Sequence, residues 1–414
     1  MSVTRRLHDH WFAPAPLADL ALVRVVLAAT QLTLLLVPWL ASDVGICLGC
    51  DPAFHHWLGG VSTDQFQPLP VLKLLLAPFG WGVRPSTGLL DAVWLTGVAA
   101  AVTSLLGLFT RASLLLLAGA STLLVAHAYS YGEQHHAEAL ITIALWTIAL
   151  APSGAAWSLD DLRARLRRAA RGERFTPHAG PRLSPHARWP LRLIQWLLVL
   201  IYLSAGTAKL ANGGLEWFNG YTLAFYVADD AIDRGSALGV WFASQITLLK
   251  LVAIGAVVTE LGFGGVMVWP RLTWLFILAG IGLHGGIYVL QRAPFPQLVA
   301  LYAVFVGELR SSLPPALRRT RARSPSNTGA RWTVVYDPTS PSSRRMAALL
   351  DWLDLGGRLQ YEAAAGGAAG EWQLRSPEGA TVPGIGRWRE LAHVVPALAP
   401  LRPFLRIRAA VRGG

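Results

Sequence analysis

The chain has 414 residues, of which 53% are hydrophobic and only 14% charged, with a formal net charge of +12 and a positive mean hydropathy. Soluble domains carry roughly 25% charged residues, so this composition excludes an ordinary water-soluble globular protein. The charge does not point to nucleic acid, because the arginines crowd into a few segments between apolar runs, the pattern that orients a membrane protein, and no RNA- or DNA-binding motif accompanies them.

Seventeen Trp and nine Tyr suit a chain with two membrane–water interfaces. Lysine is scarce, occurring only at Lys73, Lys209 and Lys250, and this bias toward Arg, with the abundance of Ala, suggests a GC-rich bacterial source. The chain starts with Arg5 and Arg6 ahead of an apolar run from Leu17. That run is too long for the core of a cleavable leader and lacks a clear small-residue cleavage site. Eight stretches are expected to cross a bilayer, each near the 20 apolar residues a span needs: 18–41, 88–108, 112–130, 135–152, 190–211, 246–268, 271–290 and 294–309. Pro70–Gly80 is too short and is bounded by prolines, so it reads as a re-entrant or interfacial helix, with a ninth span as the alternative.

Orientation follows from charge. Nine arginines lie in 163–192, and Arg310, Arg318, Arg319, Arg321 and Arg323 follow Glu308. The positive-inside rule makes both segments cytoplasmic, together with the N-terminus. Counting spans then puts 42–87, 131–134 and 212–245 outside. The expected location is the bacterial cytoplasmic membrane, multi-pass, with both termini inside. From Arg331 the pattern changes to an alternating run at Trp332–Tyr336, helical periodicity over Ser343–Leu355, a second short run at Leu359–Ala363 and a helix near Trp388–Leu398. This is the start of a small α/β domain. The fold class is therefore an α-helical polytopic membrane protein with about eight transmembrane helices and a small C-terminal α/β domain. Its expected organisation is a transmembrane domain over 10–310, an Arg/Ser/Pro-rich linker over 311–330 and the C-terminal domain over 331–408.

Ionisable groups within spans cost ~2.5–3.5 kcal/mol on insertion scales and usually mark function. Four places stand out, and all fall on the extracytoplasmic half of the expected topology. The run from His127 to Glu138 collects Glu133, His135, His136 and several tyrosines; it reads either as a site or as a wet loop with interfacial histidines. Adjacent histidines point about 100° apart on a helix and no HxxxH pair occurs, so no metal is expected. The run Tyr202-Leu-Ser-Ala-Gly206-Thr-Ala-Lys209-Leu precedes Trp217-Phe-Asn-Gly220. Ser204, Ala205 and Gly206 permit close helix approach, and Lys209 is either a snorkelling lysine or a partly buried amine usable as a general base. His284, flanked by Gly280, Gly282, Gly285 and Gly286, is a packing residue or a functional contact. Cys47 and Cys50 form a CxxC spacing in a disulfide-permitting compartment, read as a disulfide, two free thiols or a reversible dithiol.

Tyr131-Gly132 through His136, the turn Ser158-Leu159-Asp160, the AG-x-x-KL element ending at Lys209 with Trp217-Phe-Asn-Gly220, and His284 together resemble the horizontally transferred transmembrane (HTTM) domain family, which includes the vitamin-K-dependent γ-glutamyl carboxylases. The resemblance covers roughly 10–310. It implies Lys209 as the base that deprotonates reduced vitamin K (menaquinol), His136 (or His135) as the group supporting carbanion formation, and His284 as a further catalytic histidine. Glu133, His135, Tyr202 and Trp217 would then line the substrate and quinone site. The implied chemistry oxygenates a hydroquinone to give an alkoxide able to remove a glutamyl γ-proton, with CO2 capturing the carbanion and no metal taking part. A water-poor pocket suits it.

The C-terminal part resembles the DCC family of thioredoxin-like oxidoreductases, named for a DxxCxxC start after the first strand. Here that start reads Asp337-Pro-Thr-Ser340-Pro-Ser-Ser343. Serine cannot perform thiol–disulfide exchange, so this domain is expected to be redox-dead. The expected function is a quinone-linked, carboxylase-like membrane enzyme that modifies a peptide at the extracytoplasmic face, with the lipid bilayer and a peptide as partners. The alternative is a non-catalytic membrane protein that binds a lipid or peptide, as in peptide-toxin maturation. A transporter finds no support, since neither an inverted repeat nor paired broken helices are evident.

Overall fold

The computed structural model describes residues 2–40, 66–80, 84–131, 136–177, 182–312, 331–355, 357–364 and 371–405. The chain forms two compact units, one of Met1–Ser153 with Leu183–Pro314 and the other of Gly154–Arg182 with Pro315–Gly414. Among the described residues, the α-helices through residue 312 are, in chain order, α1 (Val3–Phe12), α2 (Leu17–Leu40), α3 (Pro70–Leu76), α4 (Thr87–Leu106), α5 (Thr110–Tyr129), α6 (His136–Ala149), α7 (Leu159–Ala170), α8 (Arg188–Gly213), α9 (Tyr221–Asp233), α10 (Ala237–Ala243), α11 (Ile246–Gly262), α12 (Gly265–Val268), α13 (Thr273–Gln291), α14 (Pro296–Leu301) and α15 (Val306–Ser312). All but α7 belong to the first unit. There, two short strands, β1 (Ala15–Pro16) and β2 (Leu183–Ser184), pair antiparallel just ahead of α2 and α8.

Among the described residues, five helices are long and apolar enough to cross a bilayer, or six if α10 and α11, which meet at 96°, are one broken span. No more than half of the most apolar window of each of the five is buried. The remainder faces outward with side chains such as Leu95, Leu116, Leu200 and Leu278 exposed. Apolar surface on this scale is unfavourable in water and neutral in lipid, and it makes the first unit that of a helical membrane protein.

Three of the stretches read as spans take shorter or broken forms. The 135–152 stretch gives α6, whose 14 residues reach about 21 Å. The 246–268 stretch ends as a helix at Gly262 and continues through a turn into α12. The 294–309 stretch is α14, a 3-10 segment at Tyr302–Phe305, and α15. Gly262, Gly264 and Gly265 at the second of these breaks and Pro152 just beyond α6 are local causes, since each weakens a continuous helix, whereas the change at Tyr302 has neither residue beside it. Pro70–Gly80 forms α3 and one 3-10 turn, ending at Gly80 in the left-handed region.

Several buried polar side chains of this unit bridge one element to another. Arg24, fully buried on α2, donates from Nη1 to the Ser153 carbonyl at 2.7 Å. Gln31 donates to Ser121 Oγ at 3.0 Å, and Trp94 Nε1 donates to the Leu35 carbonyl at 2.9 Å.

The second unit contains a four-stranded sheet of β3 (Trp332–Tyr336), β4 (Leu359–Ala363), β5 (Gln373–Arg375) and β6 (Thr381–Val382), in the order β4-β3-β5-β6. β3 runs parallel to β4, with Trp332 opposite Leu359, and antiparallel to β5, with Val334 opposite Leu374. Helix α16 (Pro341–Leu353) connects the parallel pair, and α17 (Gly386–Val394) follows β6. Val334, Leu350, Leu359, Leu374, Leu391 and Val395 form the core.

Helix α7 completes this unit. Ser158 caps it by accepting the Asp161 N–H at 2.9 Å, with Asp160 and Asp161 in its first turn and Arg167 and Arg168 in its last. That is the charge order a helix dipole favours. Arg165 joins Asp161 (3.0 Å) to Asp351 of α16 (2.6 Å), Arg182 reaches Asp161 at 2.8 Å, and Arg344 donates to the Ala169 carbonyl at 2.7 Å. The arginine-rich stretch after the fourth expected span thus holds a packed element of the α/β unit.

Candidate functional site

On α8, Tyr202, Gly206 and Lys209 stand at i, i+4 and i+7, one face of one helix. Gly206 is required there. A Cβ at that position would lie 2.8 Å from Leu261 and 3.1 Å from the Glu260 Cβ, so only glycine lets α11 come this close. The approach sets Glu260 beside Lys209, with Nζ 2.7 Å from Oε1. Both side chains are largely buried, at 23% and 8% exposure. Lys209 also stands over the Trp217 ring, 5.4 Å from its centroid, a cation–π contact. Trp217 is held by the 3-10 turn Gly214–Asn219. That turn ends at Gly220 (φ +84°), where a Cβ would press on the Ile246 carbonyl at 2.9 Å.

Two turns toward the other end of α8, the Tyr202 hydroxyl lies 2.7 Å from His284 Nε2 and also hydrogen-bonds the Tyr302 hydroxyl. Its ring stacks on the fully buried Phe263 at 4.2 Å. Gly280, one turn from His284 on α13, makes room for this chain, since a Cβ there would collide with the Tyr302 hydroxyl. Phe295 lies between the two histidines singled out from sequence, 5.3 Å from the His284 ring and 6.1 Å from that of His136. Beyond His136, Glu138 accepts from Gln297 Nε2 at 3.0 Å and from Tyr129 Oη at 3.2 Å, tying α5, α6 and α14 together.

Among the described residues, several buried polar atoms around these contacts have no hydrogen-bond partner: Glu260 Oε2, His284 Nδ1, Trp217 Nε1 and Gln297 Oε1. A buried unpaired polar group costs ~1–3 kcal/mol, so an incomplete set beside a complete one is where a ligand is to be sought.

The structure therefore groups Tyr202 with His284, Lys209 with Trp217, and His136 with His284 through Phe295. Glu133, His135, Cys47 and Cys50 lie outside the described residues. Sequence reading passed over Glu260, Tyr302 and Phe295. Glu260 did carry a signal, being a carboxylate inside an apolar run. Tyr302 had none, since its role depends on Tyr202, 100 residues away. Among the described residues no group of three or more His, Cys, Asp or Glu side chains comes together as a metal site would. Comparisons of the chain with family models, with characterised proteins and with solved structures find no match.

Proposed function

We propose that the helical unit works as a quinone-linked, carboxylase-like membrane enzyme of the horizontally transferred transmembrane type, acting on a peptide at the extracytoplasmic face. The observation that carries this reading is the buried Lys209–Glu260 pair. Moving one proton across its 2.7 Å contact turns an ammonium and a carboxylate into a neutral amine and an acid without changing the net charge. Lys209 then becomes a base in an apolar place, with Glu260 holding the proton. Tyr202, Tyr302 and His284 form a second hydrogen-bonded chain, able to carry a proton to or from His284.

The unpaired Glu260 Oε2, His284 Nδ1 and Trp217 Nε1 fit a group with two oxygens on an apolar ring. When bound, a reduced naphthoquinone would supply reducing power and, with oxygen, a strong base. Glu260, His284 and Trp217 would hold it, with Lys209 beside it as the base, and the aromatic rings of Phe263 and Phe295 would keep water away. Eight spans with both termini cytoplasmic, in a bacterial inner membrane, belong to the same proposal.

We read the sheet of the second unit as thioredoxin-like. In support, a parallel pair is joined by a helix, an antiparallel hairpin follows and a final helix closes the domain. Ser340 and Ser343 occupy the start of α16, where a dithiol would sit. Ser343 Oγ accepts the Asp337 N–H at 2.9 Å, and Asp337 accepts from the Thr339 hydroxyl and N–H, which hold its carboxyl below the usual range. The hydroxyls serve as loop fasteners in this reading.

One observation favours the non-catalytic alternative. Lys209 already has its counter-ion, as a purely structural lysine would. The test uses purified full-length protein, with menaquinone binding followed by tryptophan quenching and turnover by labelled CO2 incorporation into a glutamate-rich peptide. Lys209→Ala is expected to lower turnover by about 100-fold or more while binding stays within a few-fold. Unchanged turnover in both Lys209→Ala and His136→Ala, with normal insertion, would sink the enzyme reading.

A further inference from the structure

At the opposite end of α8 from Lys209, a cleft of about 350 Å3 opens between the starts of α2 and α8 and the end of α15. Arg188 and Lys209 are 21 positions apart on this helix, about 31 Å at 1.5 Å per residue, so the cleft lies at the other surface of a bilayer spanned by α8. Five charged side chains line it: Arg188, Arg192, Arg310, Asp19 and Glu308. Arg310 pairs with Asp19, and Arg192 pairs with Glu308 at 3.2 Å. Gln195, nearly fully buried, ties the second pair down by donating to Glu308 at 3.2 Å and to the Val304 carbonyl at 2.8 Å. Arg188 is left over. Its Nε donates to the Ala13 carbonyl at 3.0 Å, and among the described residues no carboxylate answers its charge. The buried Nε of Arg192 has no partner either. The lining therefore holds one positive charge in excess, with unused guanidinium donors.

Two further features say what would answer it. Pro16, Leu191 and Val304 give the cleft an apolar wall. At its rim, the chain leads back through Ala13 to α1, whose Val3 and Leu7 stand exposed one turn apart beside Arg5 and Arg6. A short basic helix with exposed apolar side chains is built to lie in a membrane interface. A free inorganic anion needs neither an apolar wall nor such a helix.

We propose that this cleft binds the phosphodiester headgroup of an anionic membrane lipid, with Arg188 as the principal contact. A phosphodiester carries one negative charge, matching the single excess guanidinium. The planar fork of arginine engages two of its oxygens at once. The acyl chains pass over the apolar wall toward α1. This inference rests on the membrane character of the helical unit and not on the carboxylase-like reading of its other end.

The experiment is native mass spectrometry of the full-length protein in a nonionic detergent, titrated separately with short-chain phosphatidylglycerol, short-chain phosphatidylcholine and inorganic phosphate. The expected result is one saturable phosphatidylglycerol, bound about tenfold or more tightly than phosphatidylcholine. Arg188→Gln should abolish that preference, and Arg234→Gln, which changes an arginine outside the cleft, should leave it intact. Should Arg188→Gln fail to fold, Arg188→Lys keeps the charge but loses the fork, and a several-fold loss of the preference is expected. Equal binding of the two lipids, an unaltered preference in both Arg188 variants, or displacement of the lipid by inorganic phosphate would each overturn the proposal.

Discussion

In the α/β unit, Arg165 lies between Asp161 and Asp351, and Asp161 is further held by Arg182 and by the Ser158 cap. In the helical unit, Lys209 meets Glu260, whose second oxygen is buried with no partner among the described residues. Both assemblies are ion pairs away from water, yet one uses both carboxylate oxygens of Asp161 and the other leaves an oxygen idle. A buried charge is tolerated when its remaining lone pairs are satisfied. The Arg165 cluster meets that condition and reads as a fastener between α7 and α16. The Lys209 pair does not meet it, and the same is true of His284 nearby. Incompleteness, more than charge, is what sets the Lys209 pair apart from the Arg165 cluster.

The comparison breaks most visibly at Arg165. Arg165→Ala would leave Asp161 and Asp351 buried without the cation between them, a loss of about 3–5 kcal/mol by the behaviour of broken buried pairs. Limited proteolysis of the full-length protein should then cut within 331–405 at denaturant concentrations the parent withstands, while the helical unit keeps its thermal transition. An unchanged cleavage midpoint would mean that α7 is not held by this cluster.

Gly280 sharpens the other side. It stands on α13 with Gly282, two positions on, yet the two differ in surroundings. A Cβ at Gly280 would meet the Tyr302 and Tyr202 hydroxyls, whereas nothing lies within 4 Å at Gly282. Gly280→Ala should cost about 1–3 kcal/mol through overpacking and part the two tyrosines. Gly282→Ala should be neutral or stabilising by up to about 1 kcal/mol from helix propensity. Melting temperatures in one detergent decide it, and equal shifts would deny the tyrosine–histidine chain its tight packing.

Much of the helical unit was legible because apolar length, glycine and charge are local properties. Lys209 stood out through the scarcity of lysine, and Gly206 through its small neighbours. What escaped reading depends on distant partners. Glu260 gains its meaning from Lys209, 51 positions earlier, and Tyr302 from Tyr202. The capping signals of α7 were present at Ser158, Asp160 and Asp161, but its place in the α/β unit hangs on Arg165 meeting Asp351, 186 positions away. No local pattern encodes that distance. Helix α6 and the break after Gly262 show the reverse, with local apolarity suggesting longer spans than the turns at their ends permit.

A third polar contact, whose histidine lies on α1 outside the spans, shows what a pair open to water does. Trp196 Nε1 donates to His10 Nε2 at 3.0 Å, joining α1 to α8. The acceptor nitrogen must be unprotonated. Burial, and then the charges of Arg192 and Arg188, hold the His10 imidazole below its ordinary value of 6.5. The unfolded chain therefore binds this proton more readily than the folded one. The contact's contribution is fully present above about pH 6.5. It declines as pH falls from there toward the lowered native value, and changes no further below it. The expected sign is a small drop in stability on mild acidification, with a matching change in tryptophan emission that is absent in His10→Phe. This is the smallest effect of the set, since water screens an interfacial histidine far more than it screens Lys209. A loss of stability on raising the pH through the same window would reverse the assignment of His10 as the acceptor.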